Sequence, residues 1–244
     1  AEPANEEVTE AMAIATEELP VWEYNWRENA FHLITMGLSL ITLLAILFLQ
    51  DMLVRRIRLF NIVRISFLLF TVFYIGFWQM AQLSVINILA FSKTVFDGFS
   101  WYALMFDFPF YSPLIFMLWA FIALVSLLWG GGVFCGWLCP YGAIQELIGK
   151  LADRFKLPSF EFPTIVHERL LALKYFILIG MIGLALESFD YLSYLVEVEP
   201  FKTTFVLRFQ RAPIYVLYAV GLLLISAFNS WFYCKYLCPL GAAL

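Results

Sequence analysis

Charged residues are scarce in this 244-residue chain: Asp, Glu, Lys and Arg make up 14% of it, against 63% hydrophobic residues. That balance excludes a water-soluble domain and leaves a bilayer as the solvent. Histidine is almost missing, with only His32 and His167. They fall toward opposite sides of the spans traced below, so they cannot jointly ligate one haem. There is no basic surplus either, since the net charge is -4, and nucleic acid is not an expected partner. The CxxC spacing usual for thiol exchange is also lacking. The opening residues, AEPANEEVTEAMAIATEE, have no basic n-region and no long apolar core, so they do not form an intact signal peptide. The chain reads as a mature or excised piece, with further segments expected before and after it.

What is present is a series of apolar runs near the roughly 20 residues that cross a hydrocarbon core about 30 Å thick. Five spans are predicted: Phe31 to Leu49, Ile65 to Phe91, Leu114 to Trp129, Leu170 to Leu186 and Ile214 to Phe228. Continuous rather than alternating hydrophobicity makes them helices, not barrel strands, and the fold class is all-α and polytopic. Arg55, Arg56, Arg58 and Arg64 follow the first span, and Lys150, Arg154, Lys156, Arg169 and Lys174 follow the third. These loops are expected in the cytoplasm. Acids gather on the other side, from Glu2 to Glu28 and again at Glu187, Asp190, Glu197 and Glu199. Residues 1–28 are thus expected to form a periplasmic acidic segment, and 29–244 a five-helix domain in the inner membrane.

A duplication runs through this domain. FCGWLCPYGAI (134–144) matches YCKYLCPLGAA (233–243), each reading aromatic-Cys-x-aromatic-Leu-Cys-Pro-x-Gly-Ala. Two spans separate the copies, which predicts a parallel repeat of helix hairpins, spans two and three against spans four and five. An axis near the membrane normal would bring Cys135, Cys139, Cys234 and Cys238 into one cluster at the cytoplasmic face. The C-terminus is expected on that face as well.

Residues at i and i+4 share a helix face, so each CxxxC pair can turn both sulfurs toward one centre. Four thiolates suit iron, an iron-sulfur cluster, zinc or Cu(I). Pro140 and Pro239 disfavour helix at Cys139 and Cys238 but suit a first helical turn, which places each second cysteine at a helix start. The positive end of that helix dipole favours thiolate. Gly130, Gly131 and Gly132 allow the backbone to break before the first motif. The x3-C-P ending also occurs in bacterial ferredoxin runs and favours iron-sulfur over zinc. The alternatives are inert buried cysteines, disulfides or thiol exchange.

Around these motifs, Ile144, Leu147, Ile148, Leu151 and Phe155 recur at helical spacing opposite Gln145, Lys150, Asp153 and Arg154. This predicts an amphipathic helix, about 140–156, lying on the cytoplasmic surface and bracing the first motif. Glu197, Glu199, Lys202 and Arg208 surround a periplasmic stretch that either docks a partner, guides a quinone headgroup or forms a solvated loop with surface ion pairs. Trp78 and Trp119 are expected deeper in the bundle. Ordinary packing accounts for them, with electron hopping as the functional reading.

The sequence resembles the membrane core of the NosR/NirI family, associated with nitrous-oxide reduction in denitrifying bacteria. GVFCGWLCPYGAIQEL (132–147), HERLLALKY (167–175), VEPFKT (198–203) and YCKYLCPLGAAL (233–244) carry the resemblance. It implies that the four cysteines are ligands, and it draws attention to Glu199 and Lys202 as partner or quinone contacts. It further implies a periplasmic FMN domain ahead of the five spans and a ferredoxin-like domain with 4Fe-4S clusters behind them, neither of them in this chain. The implied role is electron transfer supporting nitrous-oxide reductase or its maturation system. Related CxxxCP membrane proteins serve periplasmic nitrate reduction or copper handling. On this reading the chain is a redox component rather than an independent enzyme. It carries an iron-sulfur centre, with a single iron as the simpler variant, and needs a quinone, flavin or second centre to complete the route. The competing reading is a metal or redox sensor, or a maturation protein, that holds copper or zinc in the same thiols.

Overall fold

The computed structural model describes residues 26, 27, 29–79, 83–85, 88, 89, 113–160, 162–187, 197 and 199–244. Among them there is helix and no strand. The main elements are α1 (Ala30–Phe48), α2 (Gln50–Val54), α3 (Ile57–Phe70), α4 (Pro113–Trp129), α5 (Pro140–Arg154), α6 (Thr164–Glu187), α7 (Pro213–Phe228), α8 (Phe232–Tyr236) and α9 (Leu240–Ala243). The expected acidic segment 1–28 lies almost wholly outside the described residues, as does part of the predicted span beyond Gln79.

Three helical runs are long and apolar enough to cross a membrane: Ala30–Phe48, Ile57–Gln79 and Thr164–Leu186. Leu114–Trp129 and Pro213–Phe228 are apolar but shorter. Their chemistry suits a solvent without hydrogen bonds. In α1, Thr35 and Thr42 donate their hydroxyls to the carbonyls of Phe31 and Leu38, both at 2.8 Å, and Ser39 donates to Met36 at 2.7 Å. Ile34, Leu38, Ile41, Phe176, Ile179, Leu217 and Leu224 point outward, more than half exposed, as lipid-facing residues do.

Helix α3 continues as wider π-type turns through Thr71–Gln79. At Gly76 a side chain would run into the Phe205 ring and stand 3.0 Å from Pro140, so the missing Cβ is what lets three segments meet there.

Helix α5 departs from the sequence expectation. Its polar and small face, with Gln145, Glu146, Gly149 and Ala152, is buried, whereas Leu151 and Phe155 are exposed. The helix packs between α3 and α7 instead of floating apolar side down on a surface. The reason lies in its partners. Arg64 of α3 donates from Nε (2.6 Å) and Nη2 (2.9 Å) to the two Glu146 oxygens, and Lys150 adds a contact at 3.1 Å. Arg64 also lies 5.2 Å over the Trp137 ring. A fork between two mostly buried groups is geometrically exacting. Arg64→Met is therefore expected to lower stability by about 2 kcal/mol, with Arg64→Lys losing less, in thermal unfolding of the detergent-solubilised protein.

Candidate metal centre

The chain turns back on itself before each cysteine motif. Gly130, with φ +93°, ends α4, and Trp231, with φ 67°, ends the turn after α7. The residues that follow then climb into the bundle. Thr71 donates to the carbonyl of Trp137 at 3.0 Å, Pro140 meets Gly76, and Tyr141 donates to the carbonyl of Ala219 at 3.3 Å. Ala219 lies in the first half of α7, well away from its Phe228 end. The cysteines therefore stand inside the helix bundle, deeper than a site at the ends of the spans.

Both motifs close in the same way. The Cys139 N–H reaches the carbonyl of Phe134 at 2.8 Å, and the Cys238 N–H reaches Tyr233 at 2.9 Å, each a five-residue wide turn. Cys139 is extended at φ -75°, ψ 114°, and Pro140 starts α5 directly after it, as X-Pro sterics require. In the second motif Gly241 N–H donates to Cys238 Sγ at 3.3 Å. Gly142 and Gly241 occupy matching places. A methyl at Gly142 would overlap the carbonyl oxygen of Cys135, and one at Gly241 would stand 3.3 Å from that of Cys234 and 3.8 Å from Cys135 Sγ.

Cys135, Cys139, Cys234 and Cys238 line one cavity, together with Phe134, Tyr141, Tyr233 and Leu240. All four are free thiols, three buried and Cys135 half-buried. Among the described residues no three His, Cys, Asp or Glu donors converge as one metal ion requires. The four cysteines share the lining of one cavity instead. The donor set fits: four soft thiols in an apolar wall.

Glu199 is the residue whose place the sequence hid. Read as part of an outer loop, it lines the cysteine cavity beside Pro200 and Phe201 and is only 6% exposed. Its carboxylate accepts from the Val85 N–H at 2.8 Å and from the Ser84 hydroxyl. It therefore joins the Ser84-Val85 segment to the cavity wall. The available signal was an acid wedged between Val198 and Pro200-Phe201 in an apolar stretch. Glu199→Leu strips the Val85 N–H of its acceptor, at a cost of about 1–3 kcal/mol, whereas Glu199→Gln keeps one acceptor. Bound metal and thermal midpoint should both fall in Glu199→Leu and change little in Glu199→Gln.

Lys202 is not brought to the cavity. It pairs with Glu197 at 3.0 Å, and Arg211, stacked 3.9 Å over Tyr215, forks onto the same carboxylate. Hydrogen bonds from Arg211 hold Glu197 below the usual carboxylate range against the opposing effect of burial, and Lys202 adds to the lowering. His167 also stays off the cysteines. Its Nδ1 is 2.7 Å from the Tyr236 hydroxyl, and Lys174 Nζ donates to the Gly241 carbonyl at 3.3 Å, so the HERLLALKY segment buttresses the second motif. Trp78 lies on the outside, 73% exposed, and not deep in the bundle; Trp119 is partly buried, with its indole nitrogen enclosed.

Comparison with known proteins agrees with this chemistry. A family described as "4Fe-4S binding domain" matches residues 111–158 and 212–244, the two stretches that hold the motifs. "Regulatory protein NosR" of Pseudomonas aeruginosa is 48% identical over 235 residues, covering 96% of this chain and 32% of that protein. "Regulatory protein NosR" of Stutzerimonas stutzeri is 42% identical over 98% of this chain and 33% of its own length. "Protein NirI" of Paracoccus denitrificans is 40% identical, over 96% and 34%. The chain thus spans about a third of the length of these relatives. No solved structure matches it.

Proposed function

Since the chain belongs to the NosR/NirI family over nearly its whole length, we propose that it is a membrane electron-transfer module of denitrification built around one iron-sulfur centre. Cys135, Cys139, Cys234 and Cys238 hold that centre, a 4Fe-4S cluster. The observation that carries this is the single cavity lined by all four thiols of the chain, in the stretches matched by the 4Fe-4S family. Bound there, the cluster supplies reversible one-electron chemistry.

The protein's own groups do the rest. The apolar wall of Phe134, Leu240 and the two tyrosines excludes water, and Gly241 N–H hydrogen-bonds a ligand sulfur, a contact that tunes cluster potential. Glu199 holds the far wall in register. Five spans, arranged as two parallel hairpins, bring the paired motifs together. The matching wide turns and the paired Gly142 and Gly241 support that duplication. Arginine placement orients the N-terminal acidic segment to the periplasm and the turns that lead into both motifs to the cytoplasmic side of the inner membrane, with the cysteines themselves deep in the bundle. Nitrous-oxide reductase or its maturation system is the downstream beneficiary, with flavin and ferredoxin domains or subunits as the adjoining carriers.

Two relatives are named regulatory proteins, which favours one second reading, in which the same thiols hold copper or zinc and report metal or redox state to a partner. The two separate on anaerobically purified protein. A dithionite-reducible paramagnetic signal supports the electron carrier, whereas stoichiometric copper or zinc without such a signal supports the sensor.

A further inference from the structure

The last turns of α3's extension carry an exposed aromatic face at the end of the helix away from its arginines. Phe73 is 64% and Trp78 is 73% exposed, and with Phe77 and Arg208 they line a groove of about 430 Å³, open to the outside. Arg208 is held there by a tight turn with φ 47° at Arg208 and 62° at Phe209. The four cysteines do not line this groove.

It is nevertheless connected to the cysteine cavity. The Phe77 ring lies 4.9 Å from that of Phe205, which is fully buried, and Phe205 lies 5.2 Å from Phe201, a residue of the cavity wall. Three rings in contact thus run from the groove to the wall of the cysteine cavity. A lipid headgroup would satisfy Arg208 but has no use for such a route. A molecule that dissolves in the bilayer, stacks a flat ring on aromatic side chains, accepts a hydrogen bond from a guanidinium and exchanges electrons satisfies every feature.

We infer that the groove of Phe73, Phe77, Trp78 and Arg208 binds the headgroup of a membrane quinone, with Arg208 donating to a ring carbonyl and Phe77, Phe205 and Phe201 bridging it to the cysteine centre. This rests on the electron-transfer reading above. Oxidation of a quinol there releases two protons to water and two electrons, passed singly to the centre and onward to the adjoining carriers. Reduction of a quinone runs the same balance in reverse.

The test is photolabelling of the full-length protein in phosphatidylcholine nanodiscs with an azido-quinone, followed by mass mapping of the labelled peptides. Label is expected on the peptide bearing Phe77 and Trp78 or on that bearing Arg208, displaced by excess short-chain quinone. Arg208→Gln and Trp78→Ala should each lower it about tenfold. Labelling unchanged in both variants, or displaced by phosphatidylglycerol but not by quinone, overturns the inference. Label in the groove of a protein that holds no iron would support the quinone site while sinking the electron-transfer reading. A protein with a reducible centre but no label in the groove would do the opposite.

Discussion

Replacing any one of Cys135, Cys139, Cys234 or Cys238 by serine is expected to remove the iron-sulfur centre, lowering bound iron by about four per chain. A serine hydroxyl is a hard, weakly acidic donor and does not replace a thiolate on a soft metal. All four thiols face one cavity, so loss of one ligand opens the cluster to the others' exchange and to solvent. The effect should be alike for the two motifs, although Cys135 is the most exposed of the four. Burying a hydroxyl in that wall costs about 1–3 kcal/mol by itself, so each variant should first be shown to elute as a single folded species in detergent. If the cysteines were inert packing, iron content would be the same in the parent and the four variants, which would differ from the parent only by this small destabilisation.

The second large effect concerns a residue with no side chain. Gly142→Ala should cost about 3 kcal/mol and most of the cluster, because the new methyl meets the Cys135 carbonyl, a backbone atom that cannot rotate away. Either the first wide turn opens or α5 shifts, and both move a ligand. Gly241→Ala is its control at the matching place in the second motif, where the closest approach is 3.3 Å and a few tenths of an ångström of relaxation suffice. Iron content and thermal midpoint measured side by side should rank the parent and Gly241→Ala close together and Gly142→Ala far below. The reverse order would mean that the first motif does not pack as described.

Much of this was legible in the sequence because the relevant forces are local or periodic. Apolar length shows α1, α3 and α6, and the Cys-Pro steps show that Cys139 must leave the helix before α5 begins. The matching residues around the two Cys pairs point to a shared place, and all four cysteines line one cavity. Depth was not legible. Charge and span counting see which side a loop starts from, but Gly130 and Trp231 turn the chain back into the bundle through left-handed backbone that no hydropathy pattern records.

The α5 helix misleads for a related reason. Periodicity locates its apolar stripe correctly, yet in a bilayer the outside is apolar too. The buried face is then the one with partners, and Glu146 with Arg64 decides it. Glu199 stands out in the sequence as a candidate partner or quinone contact, but its place in the cavity wall does not, because its hydrogen-bond partners, Ser84 and Val85, are more than a hundred residues away.

The most direct test of the account is the metal content of the anaerobically purified full-length protein, with iron, acid-labile sulfide, copper and zinc measured together and the paramagnetic signal recorded before and after dithionite. For this centre the expectation is about four iron and four sulfide per four-cysteine site, with a reducible signal lost in every cysteine variant. Iron bound elsewhere in the protein is common to parent and variant, so the decisive figure is the difference between them. Copper or zinc in place of iron, or an iron and sulfide content indifferent to all four cysteines, would contradict it.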